Sequence, residues 1–298
     1  RLNTIEKYTQ PEVIEFWRRF SQQGLQKCES EMLARYAPPP ARMIDLGCGA
    51  GRVGIALKDS SYAVTGLDLV WPMIRTAREL YAENNIAPNL LQADIRSVPC
   101  ANDHYDVALI FIAALQHISG RIARREVFAE VSRIIRSDGV LILALDNLAP
   151  ALTCYGWWVW RKVRSILKPS SNGHAIDHTA ADDLLESRRM NRSTLSWHAR
   201  GLARTLRWRT WTGLIDRARQ AHLLRGEIGD TAIDQVSLTP TRGMVYYHVY
   251  RHAELIDDAA SAGLTLLGYH DGRELNEGQT FTPRVRQLDK QVLYAFRH

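Results

Sequence analysis

The residues best suited to chemistry in this 298-residue chain begin in the stretch Met43-Ile-Asp-Leu-Gly-Cys-Gly-Ala-Gly-Arg-Val-Gly-Ile-Ala-Leu57. Counted from Gly49, the residues Gly49, Gly51 and Gly54 spell G-x-G-x-x-G, the phosphate-cradling dinucleotide fingerprint. Counted from Gly47, the residues Asp45, Gly47, Gly49 and Gly51 spell D-x-G-x-G-x-G. The first register buries Asp45 inside the strand that enters the loop, where an unpaired carboxylate is costly. The second puts Asp45 at the strand's end, free to meet a ligand cation, and lets the glycines bring backbone close to the ligand at a helix N-terminus that favours an anionic group. The second register is the cheaper one, and Gly54 then reads as close packing of a helix against the sheet. Two further carboxylates, Asp68 and Asp94, and the imidazole of His117 follow at the ends of later apolar runs.

A regular scaffold is needed to bring these groups together. Residues 42–46 read as a strand, and Val53–Lys58 as the opening of a helix. The pattern continues with a strand Tyr62–Asp68, a helix from Pro72 and Met73 to Asn84, a strand around Asn89–Ala93, a strand Val107–Ile112, a helix Arg121–Ile135 and a strand Val140–Leu145. Such alternation predicts an α/β fold whose ligands sit at the carboxyl ends of parallel strands. A helix from about Arg251 to Ala262, a strand Leu264–Tyr269 and a strand Gln291–Phe296 complete it. The long polar join between the last two strands suits an antiparallel end pair.

Asp68, 21 residues after Gly47, suits a ribose hydroxyl in either register, whereas Asp94 after the third strand suits an adenine amino group. With the loop, Asp68, Asp94-Ile95, the strand Tyr105-Asp-Val-Ala-Leu-Ile and the turn Ser137-Asp-Gly-Val-Leu, the chain resembles the class I S-adenosylmethionine-dependent methyltransferases. The resemblance covers roughly residues 40–148 and 244–298. It implies a Rossmann-like, seven-stranded, mostly parallel sheet with an antiparallel last strand and helices on both faces. It also implies S-adenosyl-L-methionine as cofactor and S-adenosyl-L-homocysteine as product. On this resemblance Asp45 meets the cofactor's ammonium, Gly47, Gly49 and Gly51 its amino-acid and ribose portion, and Asp68 its ribose hydroxyls. Leu69 and Ile95 flank the adenine, Asp94 binds its amino group, and Arg52 steadies the carboxylate unless it is simply a solvated arginine. Tyr8 with the amphipathic segment Val13–Phe20 forms a lid, and Ile112 lines the pocket after strand four.

Methyl transfer is an in-line displacement in which alignment dominates, and a base is needed only for an acceptor protonated at neutral pH. His117 is the best-placed base, against the alternative of a helix-capping histidine. Gly243-Met-Val-Tyr-Tyr-His-Val-Tyr-Arg-His-Ala-Glu-Leu255 resembles the Tyr-Tyr-His segment of tRNA wobble-uridine carboxymethyl methyltransferases, which points Tyr247 and His248 into the active site as well. Asp146-Asn147 is similar to the metal-binding pair of catechol-type O-methyltransferases. The carboxylate those enzymes take after strand four is missing from Ile112–Gln116, so no metal is expected.

About ninety residues after Asp146 break the rhythm and hold six of the eight tryptophans. They read as a mainly helical insertion over the substrate, with a membrane face, an RNA face and a plain folded core as competing readings. From Ala151 to Gly243 there are 15 Lys+Arg against 8 Asp+Glu, or +7, so the remainder carries 23 against 24. That density is modest for a nucleic-acid binder, which favours a small-molecule acceptor; tRNA is the alternative, and a non-catalytic partner subunit a third reading.

The expected organisation is 1–40 N-terminal lid helices, 41–148 cofactor-binding core, 149–243 insertion and 244–298 completion of the sheet. No apolar run approaches the roughly 20 residues that span a bilayer, and the start lacks a signal-peptide layout, although a short leader before Arg1 is possible. Four scattered cysteines without C-x-x-C pairing fit a reduced, cytoplasmic location. Oligomeric state is not legible.

Overall fold

A computed structural model describes residues 4–112, 114–146, 230–234, 244–277 and 291–298. The chain divides into two compact units, Arg1–Pro150 with Leu224–His298, and Ala151–Leu223. The second unit, with the tryptophan-rich run, lies outside the described residues, so the expectation of a helical insertion falls there too.

Seven strands form one sheet: β1 (Ala41–Leu46), β2 (Tyr62–Asp68), β3 (Leu90–Gln92), β4 (Tyr105–Ile110), β5 (Ile135–Asp146), β8 (Thr265–Asp271) and β9 (Gln291–Arg297). Their order is β3-β2-β1-β4-β5-β9-β8, all parallel except β9, which runs antiparallel to both β5 and β8. The inner parts of β4 and β5, Val107–Ile110 and Val140–Leu145, are continuous apolar runs because both sheet faces are covered. One face of β1, β4 and β5 (Ile44, Leu46, Ala108, Ile110, Leu141, Leu143) packs on Val127, Phe128, Val131 and Ile134 of helix α6 (Arg121–Ile134) and on Leu255 and Ala259 of α7 (His252–Ala260). The other face (Met43, Val107, Leu109, Ile142) packs on Cys28, Met32 and Leu33 of α3 (Lys27–Tyr36), whose N-terminus is closed by a Gln26–Glu29 capping box.

Helices α1 (Thr4–Tyr8) and α2 (Pro11–Ser21) precede the sheet, α4 (Arg52–Ala56) follows the glycine loop, and α5 (Trp71–Glu83) follows β2. Helix α2 docks on α5 through Val13, Val70 and Met73, with Tyr8, Ile14 and Trp17 around them. A short α8 (Gly272–Glu277) leaves β8. The strand order reverses at β1 and β4, which opens a crevice at their carboxyl ends.

A further pair of strands is found where only a helix lead-in and an insertion were expected. Strand β6 (Asp230–Asp234) pairs antiparallel with β7 (Met244–His248) in a separate two-stranded sheet, matching Asp230 with His248 and Ala232 with Tyr246. Val245, Tyr246, Tyr247 and His248 are all buried, so β7 lacks the in-out alternation that marks a half-buried strand in sequence.

Candidate functional site

A cavity of about 470 Å³ opens at the carboxyl ends of β1, β2 and β4. Backbone geometry makes its floor. Gly47, Gly49 and Gly51 all have positive φ (85°, 53° and 82°), conformations that glycine adopts without the steric cost a side chain would carry. Gly47 and Cys48 donate their N–H groups to the Leu67 carbonyl at 2.7 and 2.9 Å, and the Gly49 N–H donates to Asp68 Oδ2 at 2.9 Å. A Cβ at Gly47 would stand 2.6 Å from that of Ala114, and one at Gly51 2.6 Å from the Tyr81 ring, whereas Gly49 faces open space. Ligand can therefore approach the backbone at Gly49. Gly54 is close-packed as expected, but against Tyr81 of α5 rather than the sheet, since a Cβ there would land on the Tyr81 hydroxyl. That hydroxyl is buried and has no hydrogen-bond partner among the described residues. Gly54→Ala is accordingly expected to destabilise the fold by about 1–3 kcal/mol through overpacking. Tyr81→Phe in the same chain should recover most of that loss in a denaturant titration; an additive double variant would contradict the contact.

Three carboxylates edge the cavity in different states. Asp45 is buried, no described residue hydrogen-bonds its carboxylate, and burial raises its pKa to about 7, against the opposing charge of Arg52. Asp68 is fully engaged with backbone: Oδ2 accepts from Gly49 and Oδ1 from the Val70 N–H at 2.8 Å. Burial still raises its pKa, with those hydrogen bonds opposing. Asp94 is gripped by Arg96 (Nη2 to Oδ2 2.6 Å, Nε to Oδ1 3.1 Å), which holds its pKa below the usual carboxylate range. Both Asp94 and Arg96 line the cavity.

Arg52 is not solvated. Its Nη1 and Nη2 donate to the two carboxylate oxygens of Glu29 at 2.6 Å each, Nη1 also reaches the Gly24 carbonyl at 3.0 Å, and the guanidinium lies 5.4 Å from the Phe20 ring centroid. The pair is buried and joins the glycine loop's helix to α3.

The opposite wall carries the imidazole. His117 Nδ1 stands 3.0 Å from the Tyr246 carbonyl and Nε2 stands 3.1 Å from Tyr8 Oη. Burial, aided by the positive charge of Lys7, lowers its pKa below the ordinary 6.5 despite the Tyr246 carbonyl. Ile112, at the end of β4, lines the cavity with φ of 50°, a left-handed conformation that costs a β-branched residue about 1–3 kcal/mol and that clusters at functional sites.

The cavity thus gathers Tyr8, Asp45, Gly47, Gly49, Arg52, Asp68, Leu69, Asp94, Ile95, Ile112 and His117. Gly51 stays just behind it, locked against Tyr81. Tyr247 and His248, expected to point inward, lie outside the lining and are fully buried. The Tyr247 hydroxyl donates to Gln116 Oε1 at 2.8 Å, and burial followed by the nearby Asp146 raises its pKa. His248 sits between Asp230 (Nδ1 to Oδ1 2.7 Å) and Glu254 (Nε2 to Oε1 2.9 Å) in a cluster with Arg124. These interactions anchor β7 and with it the carbonyl that holds His117. Trp17 and Phe20, in the amphipathic segment expected to form the lid, line the cavity, and the lining residues that sequence reasoning missed include Met73, Phe111 and Ser119. Among the described residues no cluster of three metal-ligating side chains occurs, and Asn147, the partner of Asp146 in the metal comparison, lies outside them.

Residues 43–139 match the family profile described as a methyltransferase domain. These residues carry a methyltransferase domain. A solved S-adenosylmethionine-dependent methyltransferase from Methanosarcina mazei shares the fold with a TM-score of 0.57 at 14% identity, over 89% of this chain and 96% of that one. The malonyl-acyl-carrier protein O-methyltransferase of Enterobacter lignolyticus is 32% identical over 50% of this chain and 54% of its own length. The ubiquinone biosynthesis O-methyltransferase of Rickettsia akari is 29% identical over 35% of this chain and 40% of its own length. The chain therefore spans about half the length, or less, of the curated relatives it matches.

The cavity of this methyltransferase domain fits the cofactor its family uses. A buried carboxylate at Asp45 with no hydrogen-bond partner among the described residues suits an ammonium, and the open face of Gly49 accommodates close approach of a bulky ligand.

Proposed function

We propose that this chain is an S-adenosylmethionine-dependent methyltransferase acting on a small-molecule acceptor through an oxygen, nitrogen or sulfur nucleophile. The observation that carries the reading is one cavity with a cation-seeking Asp45 at one wall and a neutral imidazole, His117, at the other. When bound, the cofactor supplies an electrophilic methyl group on a sulfonium. Asp45 holds its ammonium, the glycine loop takes its amino-acid and ribose portion, Asp68 its ribose hydroxyls, Leu69 and Ile95 its adenine, and Asp94, shared with Arg96, the adenine amino group. Tyr8, Trp17 and Phe20 cover the cavity and exclude water. Excluding water and fixing the line of approach is most of what such a displacement requires. His117 takes the acceptor's proton.

The reading is supported by relatives named a malonyl-[acyl-carrier protein] O-methyltransferase and a ubiquinone biosynthesis O-methyltransferase. The tRNA alternative rested on Tyr247 and His248, which sit behind the cavity. Among the described residues Cys28, Cys48 and Cys100 form no disulfide, which supports the reading of a reducing, cytoplasmic setting, and no helix is long and apolar enough to cross a membrane. The test is incubation with methyl-labelled cofactor and fractionated cell extract. Label should enter small metabolites; label confined to RNA would overturn the acceptor class, and label in nothing would favour a non-catalytic subunit.

A pH dependence follows from Asp45. Its folded pKa is raised above the unfolded value, so its contribution to the stability of the ligand-free protein is fully present below pH 3.8 and is lost as pH rises through about 7. Cofactor affinity runs the other way, because the ammonium needs the ionised carboxylate. S-adenosylhomocysteine affinity measured calorimetrically should rise about tenfold per unit below pH 7 and level off above it. Asp45→Asn should flatten the profile; an unchanged profile in that variant would remove Asp45 from the role.

A further inference from the structure

Resting on the methyltransferase reading, we infer that the acceptor's proton leaves through a two-residue relay, first to Tyr8 Oη and then to His117 Nε2, so that Tyr8 is the side chain that meets the acceptor. The Tyr246 carbonyl, 3.0 Å from His117 Nδ1, can only accept, which places the ring hydrogen on Nδ1. The neutral ring then has a bare Nε2, and the one group at it among the described residues is the Tyr8 hydroxyl, 3.1 Å away, donating. Both imidazole nitrogens are therefore engaged, and the ring is clamped between two aromatics. Tyr8 meets it edge-on with centroids 5.7 Å apart, and Tyr247 backs it edge-on at 5.4 Å. Tyr247 is itself tied to Gln116, whose amide also holds the Asp146 and His248 carbonyls. The imidazole cannot swing to a new partner, whereas Tyr8 projects from a five-residue helix and lines the cavity.

The step balances. The acceptor O–H proton passes to Tyr8 Oη while Tyr8 gives its own to His117 Nε2, leaving a neutral phenol and an imidazolium. The electron pair freed on the acceptor oxygen forms the bond to the methyl carbon, and the pair of the broken carbon–sulfur bond stays on sulfur, now a thioether. The titratable groups around the ring among the described residues are Lys7 and Tyr8 of α1 and Tyr247 of β7. The charge of Lys7 helps return the imidazolium proton to solvent after each turnover.

The test uses full-length protein with Tyr8→Phe, His117→Gln and the double variant. In histidine-15N-labelled wild type at neutral pH, ring spectra should show Nδ1 protonated and Nε2 bare but hydrogen-bonded, with the Nε2 signal moving towards that of a free lone pair in Tyr8→Phe. With the acceptor that takes label, each single variant should lower kcat by about 100-fold or more. The double variant should be no slower than the slower single one, as for residues acting as a unit. The acidic limb of the kcat profile, set by His117 below pH 6.5, should vanish in Tyr8→Phe. A proton on Nε2 in the wild type, wild-type kcat in Tyr8→Phe, or losses that multiply in the double variant would each overturn the relay. Failure of wild-type protein to bind S-adenosylhomocysteine would instead strike the cofactor reading beneath it, while the ring spectra still judge the Tyr8–His117 geometry.

Discussion

Glu29→Ala is expected to lower stability by about 3–5 kcal/mol, the cost of leaving a buried charge without its partner. Glu29 is fully buried, and its carboxylate accepts both terminal nitrogens of Arg52 and the backbone N–H of Gln26 at 2.8 Å. One side chain thus closes the N-terminus of α3 and holds α4, the helix that leaves the glycine loop. Alanine strands the guanidinium beside Phe20 in an interior it cannot leave without unravelling the loop. The pair itself adds little over a well-packed apolar pair, because its attraction is largely offset by desolvation. A Glu29→Met, Arg52→Met double variant should therefore regain most of the loss in a urea titration, with the sheet intact by circular dichroism. A double variant less stable than Glu29→Ala would show that Arg52 has a second partner stronger than Glu29.

Asp68→Ala is expected to abolish the stabilisation that S-adenosylhomocysteine confers in a melting experiment. The carboxylate holds the Gly49 and Val70 N–H groups, so its loss unfastens the loop and removes the group proposed to meet the cofactor's ribose hydroxyls. Hydrogen bonds to a charged group contribute about 1.5–3 kcal/mol each, so losing two of them weakens binding roughly 100-fold or more. Ligand at 100 times Kd stabilises by about 2.7 kcal/mol, and that shift should fall to near zero in the variant. Asp68→Asn keeps one acceptor oxygen and should retain part of the shift. Wild-type behaviour in Asp68→Ala would move the ribose site elsewhere.

Strands β2 and β9, the helix α6 and the order of loops around the cavity were legible because each rests on a local pattern: an apolar run, a helical period, a glycine cluster. Asp45 chose between the two glycine registers by the cost of burying it; in the structure it is buried one residue before the end of β1 and lines the cavity, with no hydrogen-bond partner among the described residues. Pairing across sequence distance was not legible. Glu29 lies 23 residues before Arg52 on another helix, so the arginine read equally well as solvated or ligand-binding. Tyr81, 27 residues beyond Gly54, explains that glycine by a contact no periodicity reveals. Tyr247 and His248 looked catalytic by residue type, yet type does not say which way a side chain points on a strand buried on both faces. Their work is done one layer back, where Gln116, Asp230 and Glu254 fix β7 and the Tyr246 carbonyl orients His117.

The central claim is that the D-x-G-x-G-x-G register builds a sulfonium-cofactor site in this cavity. Isothermal titration at pH 8 with S-adenosylhomocysteine, and in parallel with NADH, tests it most directly. S-adenosylhomocysteine should bind at one site per chain, lost in Asp68→Ala, while NADH gives no heat of binding. Saturable NADH binding that Asp68→Ala removes, with none for S-adenosylhomocysteine, would contradict the account.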